Sequence, residues 1–414
     1  MSNAVRTLVT FVVGILALVL WPGRAEAYTW MIRHEYNNCI ACHTDPSGGG
    51  LLTPYGRGQS QVLLSTKYSN EEVNPGKFIY FAGFAELPSS VNLGAWFRTG
   101  YISRGTDGTA NAPATRVGDL VAMRYDFQAQ VNVDKVRFNV SLGISPRDEA
   151  AGQSQSAWVT RRLGPLNGGF APREVQVVSR EHWIGYEVSD AVMLRAGRIN
   201  VPFGLRLVEH NAWVRSSTRT DYNQGQQHGV TASYGDEHVR GEVMAILGNY
   251  QIGPDTYRER GYAGYVEFVI GQYSAMGFSS LMTYQGTDPG QARSAFRQAH
   301  GPFLRYTVAK PFVLLAEADI ISNSYKDLPT RVGWTGFLQG DYELIQGVHV
   351  MGTAEMLRNG SDEFARENTN FGLWGSLWWF PIPHLDLRFD AIRRFGPTPF
   401  SNGTTYLAQL HVYL

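Results

Sequence analysis

The sequence predicts an all-β chain: a transmembrane antiparallel β-barrel of about sixteen strands, preceded by a short N-terminal segment with chemistry of its own. Three observations carry that reading. From about Val91 onward, segments of roughly ten residues alternate apolar and polar, the period of a strand whose two faces meet different surroundings. Connections between the segments alternate short and long. Aromatic residues crowd strand ends, as in Trp374, Trp378, Trp379 and Phe380, where the interfacial girdles of a membrane barrel are expected.

Residues 1–27 read as a secretory signal peptide. Arg6 supplies the positive start, Leu8 to Trp21 is an almost unbroken apolar run, and Ala25-Glu26-Ala27 is a small-x-small tripeptide with cleavage expected after Ala27. The competing reading, a membrane anchor, wants roughly 20 apolar residues, more than this run offers. The remainder is therefore expected outside the cytoplasm. With 17% charged residues and a formal net charge of zero, the chain offers no basic surface for nucleic acid.

The 2 cysteines both fall in Cys39-Ile40-Ala41-Cys42-His43. In an exported protein, C-x-x-C-H is the attachment signature of a c-type haem. Two thiols at this spacing form thioethers to the vinyl groups of one porphyrin, and the histidine that follows ligates the iron. A redox C-x-x-C would sit in a βαβ pattern, a structural zinc site would need four Cys or His ligands, and a bare disulfide has no use for His43. Residues 28–76 are thus read as a segment holding one covalent haem c through Cys39, Cys42 and His43. For the other face of the iron the sequence offers His34, the preferred ligand, and Met31, the alternative. A third option leaves that position open or filled from the barrel. Gly48-Gly49-Gly50 lacks the Lys-Ser/Thr of a phosphate loop and reads as a flexible connector.

Residues 77–414 are read as the barrel. Val136, Phe138, Val140, Leu142 and Ile144 form one apolar face, with Lys135, Arg137, Asn139, Ser141 and Gly143 between them. Val121, Met123, Tyr125, Phe127, Ala129 and Val131 alternate with Arg124, Asp126, Gln128 and Gln130. Leu385, Leu387, Phe389 and Ala391, and finally Tyr406, Ala408, Leu410, Val412 and Leu414, repeat the pattern. Short turns are expected at 133–135, 189–191, 235–237, 271–272, 309–311, 345–347 and 381–383, with long loops between them, as outer-membrane barrels are built. The count from Val91 to Leu414 is an even sixteen, which puts both ends on the periplasmic side. Phe78 to Leu87 also looks strand-like, and either adds to the count or enters the lumen. A soluble sandwich alternates too, but a chain that ends inside its last strand leaves an edge that only closure removes.

Two stretches resemble known families. Asn38-Cys39-Ile40-Ala41-Cys42-His43 followed by Leu51-Leu52-Thr53-Pro54-Tyr55-Gly56-Arg57 is similar to bacterial outer-membrane proteins in which one C-x-x-C-H precedes a short "L-N-x-F/Y-G" segment and a porin-like barrel, with Thr53-Pro54 here in place of Leu-Asn. The resemblance implies a small haem region joined to that barrel. Leu194-Arg195-Ala196-Gly197-Arg198-Ile199-Asn200-Val201-Pro202-Phe203-Gly204 resembles the "G-R-x-x-x-P-F-G" element of phosphate-selective-type porins. It implies that the loop from Val201 to Gly225, which carries Arg206, Glu209, His210, Arg215 and Arg219, folds inward. Arg206, Arg215 and Arg219 then become candidates for a pore constriction, against the alternative of a solvated outer loop.

Three functions follow as expectations. The first is electron transfer at or across the outer membrane with periplasmic or outer-membrane cytochromes as partners, since one haem cannot bridge an apolar band of about 25 Å. The second is a diffusion porin in which the haem segment is a plug or redox sensor. The third is a haem enzyme acting on a small peroxide or nitrogen species, which needs an open iron position and a distal acid–base group. Lipid of the outer membrane is an expected partner in each. No other catalytic constellation stands out, and His349 and His411 fall on lumen-facing positions that read as pore lining.

Overall fold

A computed structural model of the chain describes residues 29–34, 39–66, 87–108, 113–146, 175–221, 225–248, 259–288, 291–358, 369–397 and 402–414. The expected signal peptide and nearly all of the strand-like stretch from Phe78 lie outside the described residues. The strands, in chain order, are β1 (Val91–Thr106), β2 (Thr115–Val133), β3 (Val136–Pro146), β4 (Val175–Val178), β5 (His182–Ser189), β6 (Val192–Asn200), β7 (Gln226–Gly235) and β8 (Val239–Gly248). They continue with β9 (Arg260–Val269), β10 (Ser274–Gln285), β11 (Ala295–Ala309), β12 (Phe312–Tyr325), β13 (Arg331–Ile345), β14 (Val348–Arg358), β15 (Thr369–Ile382), β16 (Leu385–Phe395) and β17 (Gly403–Tyr413).

All pairings are antiparallel, and β1 pairs with both β2 and β17, so the sheet closes on itself. Both β4 and β5 pair with β3, one beyond the other, so they form a single interrupted stave. The seventeen strands therefore make a closed barrel of sixteen staves. Every short turn falls at or within about two residues of its expected position, the last being Pro383-His384 after β15 rather than 381–383. The start of β1 and the end of β17 share the short-turn end, as the even count requires.

Burial is inverted relative to a soluble fold. On β3, Leu142 is 52% exposed while its neighbour Ser141 is fully buried. The same holds around the wall: Phe127, Ile184, Val243, Phe268, Ile320, Leu373 and Phe389 face out, whereas Arg195, Glu242, Glu267, Arg305 and Asp390 are enclosed. An outward apolar band around a polar interior is the face pattern of a barrel set in lipid. No helix of the described residues is long and apolar enough to cross a membrane, so strands would do the crossing.

Two expectations about faces are corrected. Val121 points inward, packing with Ile102 and Leu407, because the register with β1 shifts between Arg98 and Thr99 and the alternation changes phase there. Trp374, Trp378 and Phe380 are not girdle residues; all three are buried on the lumen side, and only Trp379 of that group faces out. Trp374 donates its indole N–H to Glu355 at 3.0 Å, and the other two serve an interior core. Trp378 and Phe380 join Trp30, Met31 and Ile32 of the N-terminal segment, and Leu205, Leu207 and Val214 of the β6–β7 loop, in one apolar cluster inside the barrel.

Candidate functional site

The C-x-x-C-H stretch forms one tight turn. Residues Cys39–Ala41 are a 3-10 turn, and the amides of Cys42 and His43 both donate to Cys39 O, at 3.1 and 2.9 Å. The chain then doubles back: Thr44 N donates to Leu51 O and Thr53 N to Cys42 O, each at 2.9 Å. Between these, Gly48, Gly49 and Gly50 have φ of +92°, +92° and +67°. Three successive left-handed residues are tolerable only without side chains. The expected flexible connector is therefore a shaped turn, and a Cβ on Gly48 would stand 3.0 Å from Cys39 Sγ.

Thr53 and Pro54 start the short helix Pro54–Gln59. The Thr53 hydroxyl accepts from Gly56 N at 3.1 Å and donates to Ala41 O at 2.7 Å, and Pro54 sits where its missing N–H costs nothing. The hydroxyl thus ties the helix to the cysteine turn.

The wall holds this segment at the short-turn end of the lumen. Asn92 donates to Leu52 O at 2.7 Å, Gln346 donates to Val62 O and Ser65 O, and Thr66 N donates to Phe380 O. Arg33, fully buried, pairs with Asp341 at 3.0 Å, and the Trp30 ring lies 4.4 Å from that of His349. Asp45 pairs with Arg195 at 3.1 Å and accepts from Asn200 at 3.0 Å. Burial alone would raise its carboxyl, but Arg195 and Arg206 outweigh that and hold it below the usual carboxylate range.

The β6–β7 loop folds inward, as its resemblance implies. Gly204 N donates to Ser279, Leu205 N to Glu317 and Trp213 N to Glu355, contacts that carry the loop across to β10, β12 and β14. Glu209 reaches Arg388 on β16 at 2.8 Å. The three constriction candidates are dispersed. Arg215 is buried against Glu317, Arg219 bonds Asp288 at 2.8 Å, and Arg206 turns toward the N-terminal segment to bond Ser47.

Segment, loop and wall enclose a cavity between them. Cys39, His43 and Gly48-Gly49-Gly50 line one side, Arg206, Leu207 and His210 of the loop another, and Ala95, Trp96, His411 and Tyr413 the wall. Arg98, Arg240 and Arg305 also face it, and Arg240 donates to Cys39 Sγ at 2.6 Å. Neither cysteine is in a disulfide, and both are buried. Burial lowers the His43 pKa to about 4, so its imidazole is neutral near pH 7, the form that ligates metal. His34 lines a different cleft, beside Lys310 and Glu343, and Met31 is enclosed in the apolar cluster. The wall residues of this cavity had no local signal in the sequence, since alternation marks a face but not a height or a neighbour.

The architecture is a closed antiparallel barrel of sixteen staves with its lumen filled by the N-terminal segment and the β6–β7 loop, a fold shared with outer-membrane channels. Among solved structures, a loop-deletion form of OmpT, an outer membrane protein of Vibrio cholerae, is similar to 78% of this chain over 99% of its own, with a TM-score of 0.57 at 10% identity. An anion-selective porin from Comamonas acidovorans matches the same shares with a TM-score of 0.53 at 10% identity. The channel DcaP of Acinetobacter baumannii matches 78% of this chain and 97% of its own, with a TM-score of 0.51 at 12% identity. No protein-family model matches the chain, and no curated protein does.

Proposed function

We propose that this chain is an outer-membrane electron-transfer protein, a porin-type barrel whose lumen holds one covalent haem c on Cys39, Cys42 and His43. The observation that carries the reading is that Cys39 and His43 open onto the same lumen cavity, which His210 and His411 also line. The donor set suits the group: two thiols outside any disulfide on one turn, a neutral imidazole, apolar walls from Leu52, Leu207 and Trp96, and guanidinium groups of Arg98 and Arg206 for carboxylate side chains, with Arg240 and Arg305 held beside them by Glu267. Bound haem would supply one-electron chemistry that no side chain offers. The protein's own part is to fix the cysteine turn, keep His43 neutral and exclude water with the Trp30 segment and the Leu205 loop. Short turns mark the periplasmic end in such barrels, which favours electron exchange with a periplasmic cytochrome there. Crossing the remaining band needs a second partner.

The test is the oxidised and reduced absorption spectrum of protein matured with the cytochrome c assembly machinery, before and after acid-acetone extraction. A haem spectrum that survives extraction and is lost in Cys39→Ala, Cys42→Ala protein supports the reading; a chain that matures without haem ends it. The porin neighbours favour a second reading, a diffusion channel gated by the same segment. Conductance through planar bilayers that is independent of haem oxidation state would favour it. A haem enzyme requires an iron position open to small ligands, which cyanide or carbon monoxide binding reports.

A further inference from the structure

We infer that His411, from the last strand of the barrel, is the second axial ligand of the haem, oriented by Asp386. The inference rests on the haem reading above and concerns which side chain faces His43 across the metal.

Four side chains compete. His34 and Met31 precede the cysteines in sequence, yet His34 lines a cleft with Lys310 and Glu343, and Met31 is packed among Trp30, Leu64 and Phe380. Neither borders the cavity that Cys39 and His43 open onto. His210 does border it, but both of its ring nitrogens are engaged, Nδ1 with Asp221 at 2.9 Å and Nε2 with Arg98 at 3.1 Å. His411 borders the cavity with one nitrogen engaged and one not. Its Nδ1 lies 2.7 Å from Asp386 Oδ2, while Nε2 is buried with no hydrogen-bond partner among the described residues.

An orphaned buried imidazole nitrogen is costly unless something occupies it. The rest of the residue is rigidly held. Trp96 lies 5.0 Å from the ring on one contact and Tyr413 is stacked at 5.1 Å on another. Asp386 is itself fixed by the Trp378 indole at 2.9 Å. A carboxylate on one nitrogen and a metal on the other is the recurring arrangement of ligating histidines: the carboxylate sets the tautomer and raises the basicity of the free nitrogen. Asp386 is then a positioning residue, and two imidazoles set a lower potential than a His/Met pair.

The test uses the full-length, haem-loaded protein in detergent or vesicles, with barrel folding checked in every variant by heat-modifiable gel mobility. Wild type should be low-spin when oxidised and bind cyanide slowly. His411→Ala should keep its covalent haem but turn high-spin, bind cyanide at least tenfold faster, and return to low-spin with added imidazole. His411→Met should remain folded and show a raised reduction potential, and Asp386→Asn should raise it to a lesser degree. His34→Ala and His210→Ala should leave the spin state unchanged. A high-spin wild type, a His411→Ala protein that stays low-spin, or a His34→Ala protein that turns high-spin overturns the ligand assignment while leaving the haem in place. Absence of covalent haem from the wild type strikes the haem reading instead.

Discussion

Removing Arg33 should loosen the N-terminal segment from the lumen. Its side chain is fully buried, pairs with Asp341 at 3.0 Å and donates to Pro311 O at 3.3 Å, and its guanidinium lies 5.2 Å from the Trp30 ring. Breaking a buried ion pair from one side costs about 3–5 kcal/mol because the other charge is stranded. Asp341 keeps one partner, the His349 imidazole at 3.0 Å, so the lower end applies, about 3 kcal/mol. At about 1.4 kcal/mol per decade, Arg33→Met should raise the undocked population roughly a hundredfold. The buried thiols report it: Cys39 is 9% and Cys42 5% exposed, so in protein prepared without haem a maleimide reacts only after opening. When opening and closing outpace labelling, the rate follows the open population. The double variant Arg33→Met, Asp341→Asn should recover much of the protection, because the buried charge is then gone and Glu343, which Arg33 also reaches at 3.5 Å, is partly open to solvent. Labelling of Arg33→Met within about twofold of wild type, in a barrel shown to be folded, refutes the reasoning.

Three further outcomes are expected. Gly56→Ala places a Cβ against the Cys42 backbone, where nothing flexible can yield; a cost of about 1–3 kcal/mol should raise thiol labelling by about fivefold to a hundredfold, and wild-type protection would contradict the packing. Gly204→Ala sets a side chain at φ +59° against Glu317 and Arg215; it should lift the β6–β7 loop and increase single-channel conductance in planar bilayers, and an unchanged conductance would mean that the loop does not limit the lumen. Leu142→Arg puts a charge on the outer face near the middle of β3 and should cost about 2–4 kcal/mol in refolding titrations with lipid vesicles; a cost near zero would show that this face does not meet lipid.

Much of the barrel is legible in the sequence because a strand's two faces are written residue by residue. Asp386, Arg388 and Asp390 face in and Leu387 and Phe389 face out, as alternation requires. The turns declare themselves where apolar periodicity stops, and the inward loop was marked by the Val201-Pro202-Phe203-Gly204 run. Alternation fails where the pairing register slips, as beyond Arg98 against β2, because a shift there is set by the partner strand. It fails again for Trp378 and Phe380, which the packed lumen uses as core, and for Trp374, which turns inward to donate to Glu355.

The candidate site divides the same way. The sequence alone supplied the proposal for Cys39-Ile40-Ala41-Cys42-His43, because that motif is local: two thiols and an imidazole fall on one turn, as the structure shows. Only the tertiary structure decided which side chains share the cavity. His411 is 368 positions beyond His43 in the chain, and closure of β17 against β1, with the segment drawn inside, brings both to one cavity. His34, five residues before Cys39, goes to a separate cleft because Arg33 and Trp30 bind it to β13 and β14. Nearness in sequence fixes neighbours only as far as the backbone stays local, and a closed sheet sets the rest by register.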